Sequence, residues 1–297
     1  MLTKQQFKIL TCLEASKATL SQRQIAEKTN MSVGTVNHTL KELSSENFVQ
    51  DVHITDEGLK ALEPYRVRRA IFMAAGFGSR MVPITLNTPK PLVRVGGVRL
   101  IDTLLDACVA AEIEEIIIIR GYLGEQFDVL LSKYPQIKFV ENPEYNLANN
   151  IVSILQVRDK LSSAYVMEAD LFLKNPNLIK KYQYSSNYLG IPVKRTDDWC
   201  IHTKNGYISK SAHGGEGDNI YQTIGISYWT HEDGAKLKDH VKAVCEMPGG
   251  RERLWGYVPL TAFHKDYKVS VRPCKFEDIV EIDSFKELME LDPAYRV

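Results

Sequence analysis

The stretch Ala70-Ile-Phe-Met-Ala-Ala-Gly-Phe-Gly-Ser-Arg-Met-Val-Pro-Ile-Thr-Leu-Asn-Thr-Pro-Lys-Pro-Leu92 decides the fold of this chain. An apolar run at 70–75 ends abruptly at Gly76, and a second glycine, Gly78, follows. A strand that leads into a glycine turn presents backbone N–H groups to phosphate, and glycine lets an anion approach the backbone closely. Arg80 and Lys90 add the positive charge that a nucleoside triphosphate needs. The stretch therefore predicts a triphosphate site at the end of a buried strand.

Two other phosphate-binding loops are excluded. A Walker loop needs four residues between its first glycine and Gly-Lys-Ser/Thr, and the chain has no such string. A dinucleotide-binding loop needs a third glycine three residues after Gly78, where the chain has Met81. An ordinary glycine turn would leave Arg80, Pro83 and Lys90 as coincidences.

The two glycines, Arg80, the Thr-Pro-Lys-Pro string at 88–91 and their spacing resemble the signature loop of the sugar-nucleotide pyrophosphorylase and cytidylyltransferase superfamily. The resemblance implies that Arg80 and Lys90 are catalytic. It also implies a cradle for the triphosphate formed by the following residues: Ala74, Ala75, Gly76, Gly78 and Ser79.

Composition limits the class of protein. The chain has 297 residues, 44% hydrophobic and 25% charged, which is ordinary for a globular protein with more than one domain. The formal net charge is zero, so no global charge favours nucleic acid or an anionic membrane. Five scattered cysteines without a C-x-x-C motif, and the lack of a signal or membrane-spanning run, predict a cytoplasmic protein.

Residues 1–65 are predicted to form a separate small domain. Ser21, Ser32 and Thr55 are placed to cap three helices, and a further helix precedes them. Apolar residues between 48 and 54 predict a small hairpin. Helix, helix-turn-helix and hairpin together resemble the winged-helix domains of bacterial transcription regulators.

That resemblance implies DNA binding through the third helix, but the charge of the domain argues against strong binding. Residues 1–65 contain seven Lys/Arg and eight Asp/Glu, a net charge of 7 − 8 = −1. Phosphate neutralisation dominates affinity for DNA, and this domain offers little of it. DNA therefore stays open as a partner, without an expectation of strong binding. The side chains presented to a groove would be Ser32, Thr35, Asn37, His38 and Lys41.

Residues 66–297 alternate apolar runs with amphipathic stretches. This order predicts an α/β domain with a doubly wound, mainly parallel sheet, and ligands at the carboxyl ends of the strands. The four-isoleucine run at 116–119 is typical of a parallel strand buried on both faces. Strands are predicted at 70–74, 116–119, 138–141, 165–169, 187–193, 224–229 and 268–272, and helices at 100–110, 124–133, 150–160 and 234–244.

Acidic residues follow two of the apolar runs. Asp170 comes directly after the predicted strand at 165–169, and Glu281 and Asp283 alternate after an apolar pair late in the chain. Carboxylates at such positions can hold Mg²⁺, which binds oxygen ligands together with substrate phosphates. We therefore expect a Mg²⁺ site formed by Asp170, Asp283 and, with less support, Glu281. The alternative for a lone aspartate at a strand end is a turn cap.

The second half of the chain resembles bacterial phosphocholine cytidylyltransferases and the related enzymes that attach CMP to 2-aminoethylphosphonate. The resemblance rests on the strings at 198–200, 225–229, 255–260 and 281–284. It implies nucleotide contacts from Gly121, Tyr122 and Asn149, and acceptor contacts from Trp199 and Trp255, with Glu168 as a candidate for an ammonium group. A purely structural role for the tryptophans is the alternative. Many family members have an acidic residue after the second tryptophan, where this chain has Gly256.

These observations predict Mg²⁺-dependent transfer of CMP from CTP to phosphocholine or a related amino-alkyl phosphate or phosphonate, with release of pyrophosphate. Three alternatives stay open: transfer to 2-aminoethylphosphonate, a sugar-1-phosphate nucleotidyltransferase, and a DNA-binding regulator that senses nucleotide. No membrane partner is expected, and a homodimer is left open.

Overall fold

The computed structural model describes residues 1–16 and 18–296. They form two compact units. The small unit comprises Met1–Arg66 together with Tyr182–Tyr184, and the large unit comprises Val67–Lys181 and Ser185–Val297. The three residues at 182–184 are thus a part of the small unit that is distant from it in sequence.

The small unit contains helices α1 (Lys4–Glu14), α2 (Gln22–Thr29), α3 (Val33–Ser45) and α4 (Asp56–Leu62), and strands β1 (Val49–Gln50) and β2 (His53–Ile54). Ser21, Ser32 and Thr55 each accept a backbone hydrogen bond at the start of a helix, as the sequence predicts. β1 and β2 pair in an antiparallel hairpin. Ile9, Leu43 and Leu62, which are fully buried, hold the helices around one core.

The large unit is an α/β structure. Its strands are β3 (Arg69–Ala74), β4 (Arg94–Val95), β5 (Val98–Arg99), β6 (Glu115–Arg120), β7 (Ile137–Glu141), β8 (Ala164–Glu168), β9 (Leu171–Leu173), β10 (Asn187–Lys204), β11 (Tyr207–Trp229), β12 (Ser270–Pro273) and β13 (Ile279–Glu281). Its α-helices are α5 (Leu100–Ala110), α6 (Ile151–Gln156), α7 (His231–Glu246) and α8 (Phe285–Leu291). Among the described residues, no helix combines the length and the apolar character needed to cross a membrane.

Seven strands form the central sheet in the order β10-β12-β11-β8-β3-β6-β7. β3 lies in the middle of the parallel part, between β8 and β6, and β7 is parallel to β6. β11 enters antiparallel to β8. The expectation of a mainly parallel sheet is confirmed, and the glycine loop that follows β3 lies at the carboxyl end of its central parallel strand.

The isoleucine run of β6 explains why both faces of the sheet are covered. Ile116 and Ile118 are buried in one apolar cluster, and Ile117 and Ile119 are buried in a second. Alternate residues of a strand point to opposite faces, so the two clusters are the two sides of the sheet. α5 contributes to the first cluster, whereas α6 and α7 contribute to the second. This is the doubly wound arrangement.

Several predicted elements differ from the structure. The helix predicted at 150–160 is α6 (Ile151–Gln156) followed by a 3₁₀ turn at Arg158–Lys160, and the strand predicted at 224–229 is the end of β11. The stretch predicted as an amphipathic helix at 124–133 is a 3₁₀ helix, Gly124–Ser132. Its buried residues Phe127 and Leu130 are three positions apart, a spacing that suits three residues per turn. The strand predicted at 187–193 continues to Lys204 in β10, because the polar residues beyond 193 pair with β11 in a long hairpin that a period-two hydrophobic pattern does not reveal.

Candidate functional site

The loop after β3 closes against Lys90. Gly78 has φ +63°, and a Cβ at this position would lie 3.0 Å from the Cβ of Lys90, so both conformation and space require glycine. The hydroxyl of Thr85 donates a 2.9 Å hydrogen bond to the carbonyl oxygen of Gly78. A Cβ at Gly76 would meet nothing within 4 Å, because the backbone there faces open space. The loop thus leaves room for an anion beside its backbone.

A cleft of about 480 Å³ lies in front of this loop. Its walls include most of the residues that were predicted to bind nucleotide, to bind metal or to act in catalysis. Met73 and Pro91 also line it. The predicted residues that line it are Ala74, Gly76, Gly78, Ser79, Arg80, Lys90, Asn149, Asp170 and Asp283.

Three of the residues predicted to bind nucleotide do not line the cleft and support the loop instead. They are Ala75, Gly121 and Tyr122. The backbone N–H of Tyr122 donates to the carbonyl oxygen of Ala75 at 3.1 Å. Its hydroxyl donates to the carbonyl oxygen of Thr85 at 2.9 Å. A Cβ at Gly121 would lie 2.7 Å from the ring of Tyr145, so the backbone at Gly121 is in close contact with that ring.

Lys90 is the charged centre of the cleft. Its ammonium donates to Asp170 at 2.7 Å and to Asp283 at 3.1 Å, and the residue is only 7% exposed. Burial alone would lower the pKa of Lys90, but the two carboxylates outweigh burial and raise that pKa above its ordinary value. Asp283 also accepts a 2.7 Å hydrogen bond from Arg80, whose side chain is largely exposed. Lys90 is therefore a fixed positive charge.

Pairing between two short strands brings three carboxylates together. β9 and β13 are antiparallel, with Glu281 opposite Leu171, so Glu281 comes beside Asp170 although 281 − 170 = 111 positions separate the two residues along the chain. Glu168 ends β8 two residues earlier. One carboxylate oxygen from each of Glu168, Asp170 and Glu281 lies within 4.8 Å of the other two.

The donor set of this cluster fits a hard divalent cation. All three ligands offer oxygen, and Asp170 Oδ1 is buried without a hydrogen-bond partner among the described residues. Burial, with the charge of Asp170 beside it, raises the pKa of Glu168 to about 8 and the pKa of Glu281 to about 9. A cation placed among these oxygens would reverse both shifts.

The expected metal residues do not all meet at one point. Asp170 and Glu281 lie in the carboxylate cluster, and Glu168, which we expected on the acceptor side, joins them. Asp283 is instead paired with Arg80 and Lys90.

A second cavity of about 660 Å³ adjoins the cleft at Asn149, which lines both. Glu168, Glu281, Trp199 and Trp255 are among its lining residues. The two tryptophans differ. Trp199 is 43% exposed, whereas Trp255 is 5% exposed. The cavity therefore combines aromatic faces with carboxylates, a lining that suits a small organic cation.

Two lining residues of the second cavity have no role in the sequence-based prediction. Tyr188 stacks against Trp255, with the ring centroids 6.1 Å apart. A Cβ at Gly225 would lie 2.3 Å from Glu168 Oε2, so the absence of a side chain there makes space for that carboxylate. In the sequence, Tyr188 is an aromatic residue within a predicted strand and Gly225 begins the string at 225–229, and neither feature indicates a site by itself.

Comparison with known families identifies both parts of the chain. Residues 69–220 match the model of the Nucleotidyl transferase family. Residues 2–50 match the model of the Winged helix-turn-helix DNA-binding family.

Two curated relatives each align with about three quarters of this chain. A 2-aminoethylphosphonate cytidylyltransferase from Lancefieldella rimae is 34% identical, with 76% of this chain and 92% of the relative covered. A choline-phosphate cytidylyltransferase from Streptococcus pneumoniae is 30% identical, with 75% of this chain and 96% of the relative covered. A solved CTP:phosphocholine cytidylyltransferase from Streptococcus pneumoniae superposes with a TM-score of 0.69 at 29% identity, covering 77% of this chain and 99% of that structure.

Proposed function

We propose that this chain, which belongs to the nucleotidyl transferase family, transfers CMP from CTP to a small phosphate or phosphonate that carries an ammonium group, and releases pyrophosphate. The observation that carries the proposal is the adjacency of two spaces. A glycine-loop cleft with Lys90 in its wall adjoins an aromatic and acidic cavity at Asn149. Two substrates can thus meet where the cleft and the cavity join.

The reaction needs positioning and charge neutralisation more than a strong base, because the acceptor oxygen is already anionic. That oxygen attacks the α-phosphorus of CTP, a new P–O bond forms, and the bond to the β-phosphate breaks in line with it. Backbone N–H groups from Gly76 to Ser79 hold the triphosphate. Lys90 stabilises charge on the α-phosphate, and Arg80 neutralises the departing pyrophosphate.

Mg²⁺ fits the carboxylate cluster. Asp170 and Glu281 would hold it with Glu168 beside them, and Asp283 lies close to the same cleft through its bond to Lys90. When bound, the ion neutralises phosphate charge. The ammonium of Lys90 lies 2.7 Å from Asp170, so it adjoins the carboxylate cluster.

The acceptor's ammonium group suits the second cavity. Trp199 and Trp255 offer aromatic faces for a cation, and Glu168 offers a carboxylate. Two members of the family with over 90% of their length aligned to this chain act, by name, on 2-aminoethylphosphonate and choline phosphate. Aromatic faces favour a trimethylammonium group, whereas a carboxylate favours a primary ammonium.

The test is pyrophosphate release with CTP and Mg²⁺, with phosphocholine, phosphoethanolamine and 2-aminoethylphosphonate supplied in parallel. We expect turnover with at least one of them, and slower turnover with UTP or with glucose 1-phosphate. Release only with a sugar phosphate would replace the proposal by the sugar-1-phosphate alternative. No release with any acceptor would contradict it.

The match of the small unit to a DNA-binding family favours a second role in weak DNA contact. α3 carries one lysine, Lys41, and the ring of His38 is 3.3 Å from Glu42, which offsets its charge when it is protonated. A unit with so little excess positive charge would neutralise few phosphates, so it would bind duplex DNA weakly and with a shallow dependence on salt. A mobility-shift assay at low and moderate salt tests this role separately from catalysis.

A further inference from the structure

One wall of the acceptor cavity is a single continuous segment. Residues 252–257 all line the cavity, and they lie between α7 and the turn that begins at Val258. Residues 252–256 belong to no strand or helix, and Tyr257 leads into the π-helix Val258–Ala262. The position of the segment therefore depends on bonds to the rest of the large unit and not on a regular backbone ladder.

Two adjacent asparagines supply those bonds. The backbone N–H of Trp255 donates to Asn150 Oδ1 at 2.8 Å. Asn149 Nδ2 donates to the carbonyl oxygen of Glu252 at 3.1 Å, and the backbone N–H of Asn149 donates to the carbonyl oxygen of Arg251 at 2.9 Å. An ion pair between Arg251 and Glu144 adds a fourth link. The wall is thus attached at 251, 252 and 255.

Asn150 is at a position where the side chain of asparagine usually caps a helix. It is the N-cap of α6, and an N-cap asparagine usually accepts a hydrogen bond from its own helix. Here the side chain makes no capping bond and is directed to Trp255, 105 positions away. The sequence predicts a helix from residue 150, but the side chain of Asn150 makes no capping bond to that helix.

The hydrogen bond to Asn150 fixes the position of Trp255 in the cavity wall. Its ring is buried against Tyr188 and Trp229, with centroid distances of 6.1 Å and 5.7 Å, so the ring has little room to move without its backbone. Asn149, the preceding residue, lines both the nucleotide cleft and the acceptor cavity. The two asparagines therefore set the acceptor wall at a fixed place relative to the nucleotide.

We infer that Asn150, which itself lines the acceptor cavity, is a positioning residue for the acceptor that acts through the backbone of Trp255. The inference rests on the proposed function and adds to it a residue that decides acceptor affinity. Loss of the Asn150 bond leaves the glycine loop, Lys90 and the carboxylate cluster unchanged. The consequence should appear in acceptor binding and not in CTP binding.

The test compares Asn150→Ala, Asn150→Asp and the surface control Asn177→Ala in the full chain. Asn150→Ala should raise the KM for the preferred acceptor about tenfold, the factor that 1.4 kcal/mol represents, and leave the KM for CTP unchanged. Asn150→Asp keeps an oxygen acceptor at the same reach and should restore most of the acceptor affinity. Asn177→Ala removes an exposed side chain outside both cavities and should behave as wild type.

Amide hydrogen exchange without substrates is the second measurement. The peptide that contains Trp255 should exchange faster in Asn150→Ala than in the wild type, because its N–H loses its acceptor. Unchanged exchange, or KM values for both substrates that rise together, would overturn the inference. If the wild type turns over none of the acceptors, the proposed function fails, and hydrogen exchange alone then decides whether Asn150 holds the wall.

Discussion

The ammonium of Lys90 lies 2.7 Å from Asp170, a residue 80 positions later in the chain. Lys90 follows the glycine loop and Asp170 follows β8, so this bond joins the phosphate side of the cleft to the carboxylate cluster. A buried lysine held in this way is a preorganised positive charge, which costs no reorganisation when charge develops on a phosphate.

Replacement of Lys90 should therefore abolish most activity. We expect Lys90→Ala to lower kcat by about 10²–10³-fold, the range found for the loss of one preorganised donor. Asp170 and Asp283 retain partial contact with solvent, so the fold should persist. Pyrophosphate release and thermal melting measure the two effects. Lys286→Ala, at an exposed position of α8, is the control, and near-normal turnover of Lys90→Ala would contradict the mechanism.

Gly225 should tolerate no side chain, because Glu168 occupies the space. A Cβ would lie 2.3 Å from Glu168 Oε2 and 2.6 Å from its Cδ, so the whole carboxylate must shift. We expect Gly225→Ala to lower kcat/KM for the acceptor about 10²-fold, the order of a displacement near 1 Å. Gly256→Ala is the matched control for folding, since the atom nearest to a Cβ at that position, the Tyr188 hydroxyl oxygen, is 3.6 Å away. Equal acceptor kinetics in Gly225→Ala and wild type would show that Glu168 does not contribute.

Metal-free protein should become less stable as the pH rises. The pKa values of Glu168 and Glu281 are raised from 4.5 to about 8 and about 9, chiefly by burial. The folded protein therefore keeps protons that the unfolded chain loses above pH 4.5, and this stability is lost as the pH rises through the folded values. The free energy of unfolding, measured in urea with a chelator, should therefore decrease as the pH rises from about 4.5 to about 9.

Mg²⁺ should stabilise the protein more at high pH, because it binds the deprotonated carboxylates. We expect a larger Mg²⁺-induced rise in melting temperature at about pH 9 than at about pH 6, and little rise at either pH in Asp170→Asn. A rise that is the same at both pH values in the wild type would place the ion elsewhere.

The two cavity tryptophans should respond differently to truncation. Trp199 is 43% exposed, so Trp199→Ala should change stability by no more than about 0.5 kcal/mol and mainly raise the acceptor KM. Trp255 is 5% exposed and contacts Tyr188 and Trp229, so Trp255→Ala should cost about 3–5 kcal/mol of stability. Urea denaturation and acceptor titration separate the two effects. Comparable stability losses would show that Trp199 is also structural.

Duplex DNA should bind the protein weakly. Residues 1–65 carry seven basic and eight acidic side chains, so few phosphate contacts can form. Fluorescence anisotropy with a duplex of random sequence should give a Kd of about 10⁻⁵ M or weaker at physiological salt. A much tighter complex with one particular duplex would instead support the regulator alternative.

The order of elements was predictable from local sequence. The strands β3, β6, β7 and β8 and the helix α5 lie where the hydrophobic pattern places them, because each buries a continuous apolar face. The hairpin arm of β10 and β11 was not predictable in full, since its outer residues are polar and are ordered by pairing with each other. The 3₁₀ conformation of Gly124–Ser132 was not predictable either, because its hydrophobic spacing fits an α-helix as well as a 3₁₀ helix.

By itself, the sequence determined the strand, the glycine loop and the lysine that follows it, together with the presence of acidic residues after two apolar runs. These features are predictable locally, because hydrophobic periodicity and the conformational preferences of glycine are properties of neighbouring residues. Only the tertiary structure decided which carboxylates meet. Pairing of β9 with β13 brings Glu281 next to Glu168 and Asp170. Asp283 instead forms ion pairs with Arg80 and Lys90. The same holds for Asn150 and Trp255, since a contact between residues 105 positions apart is set by the path of the chain and not by either residue's neighbours.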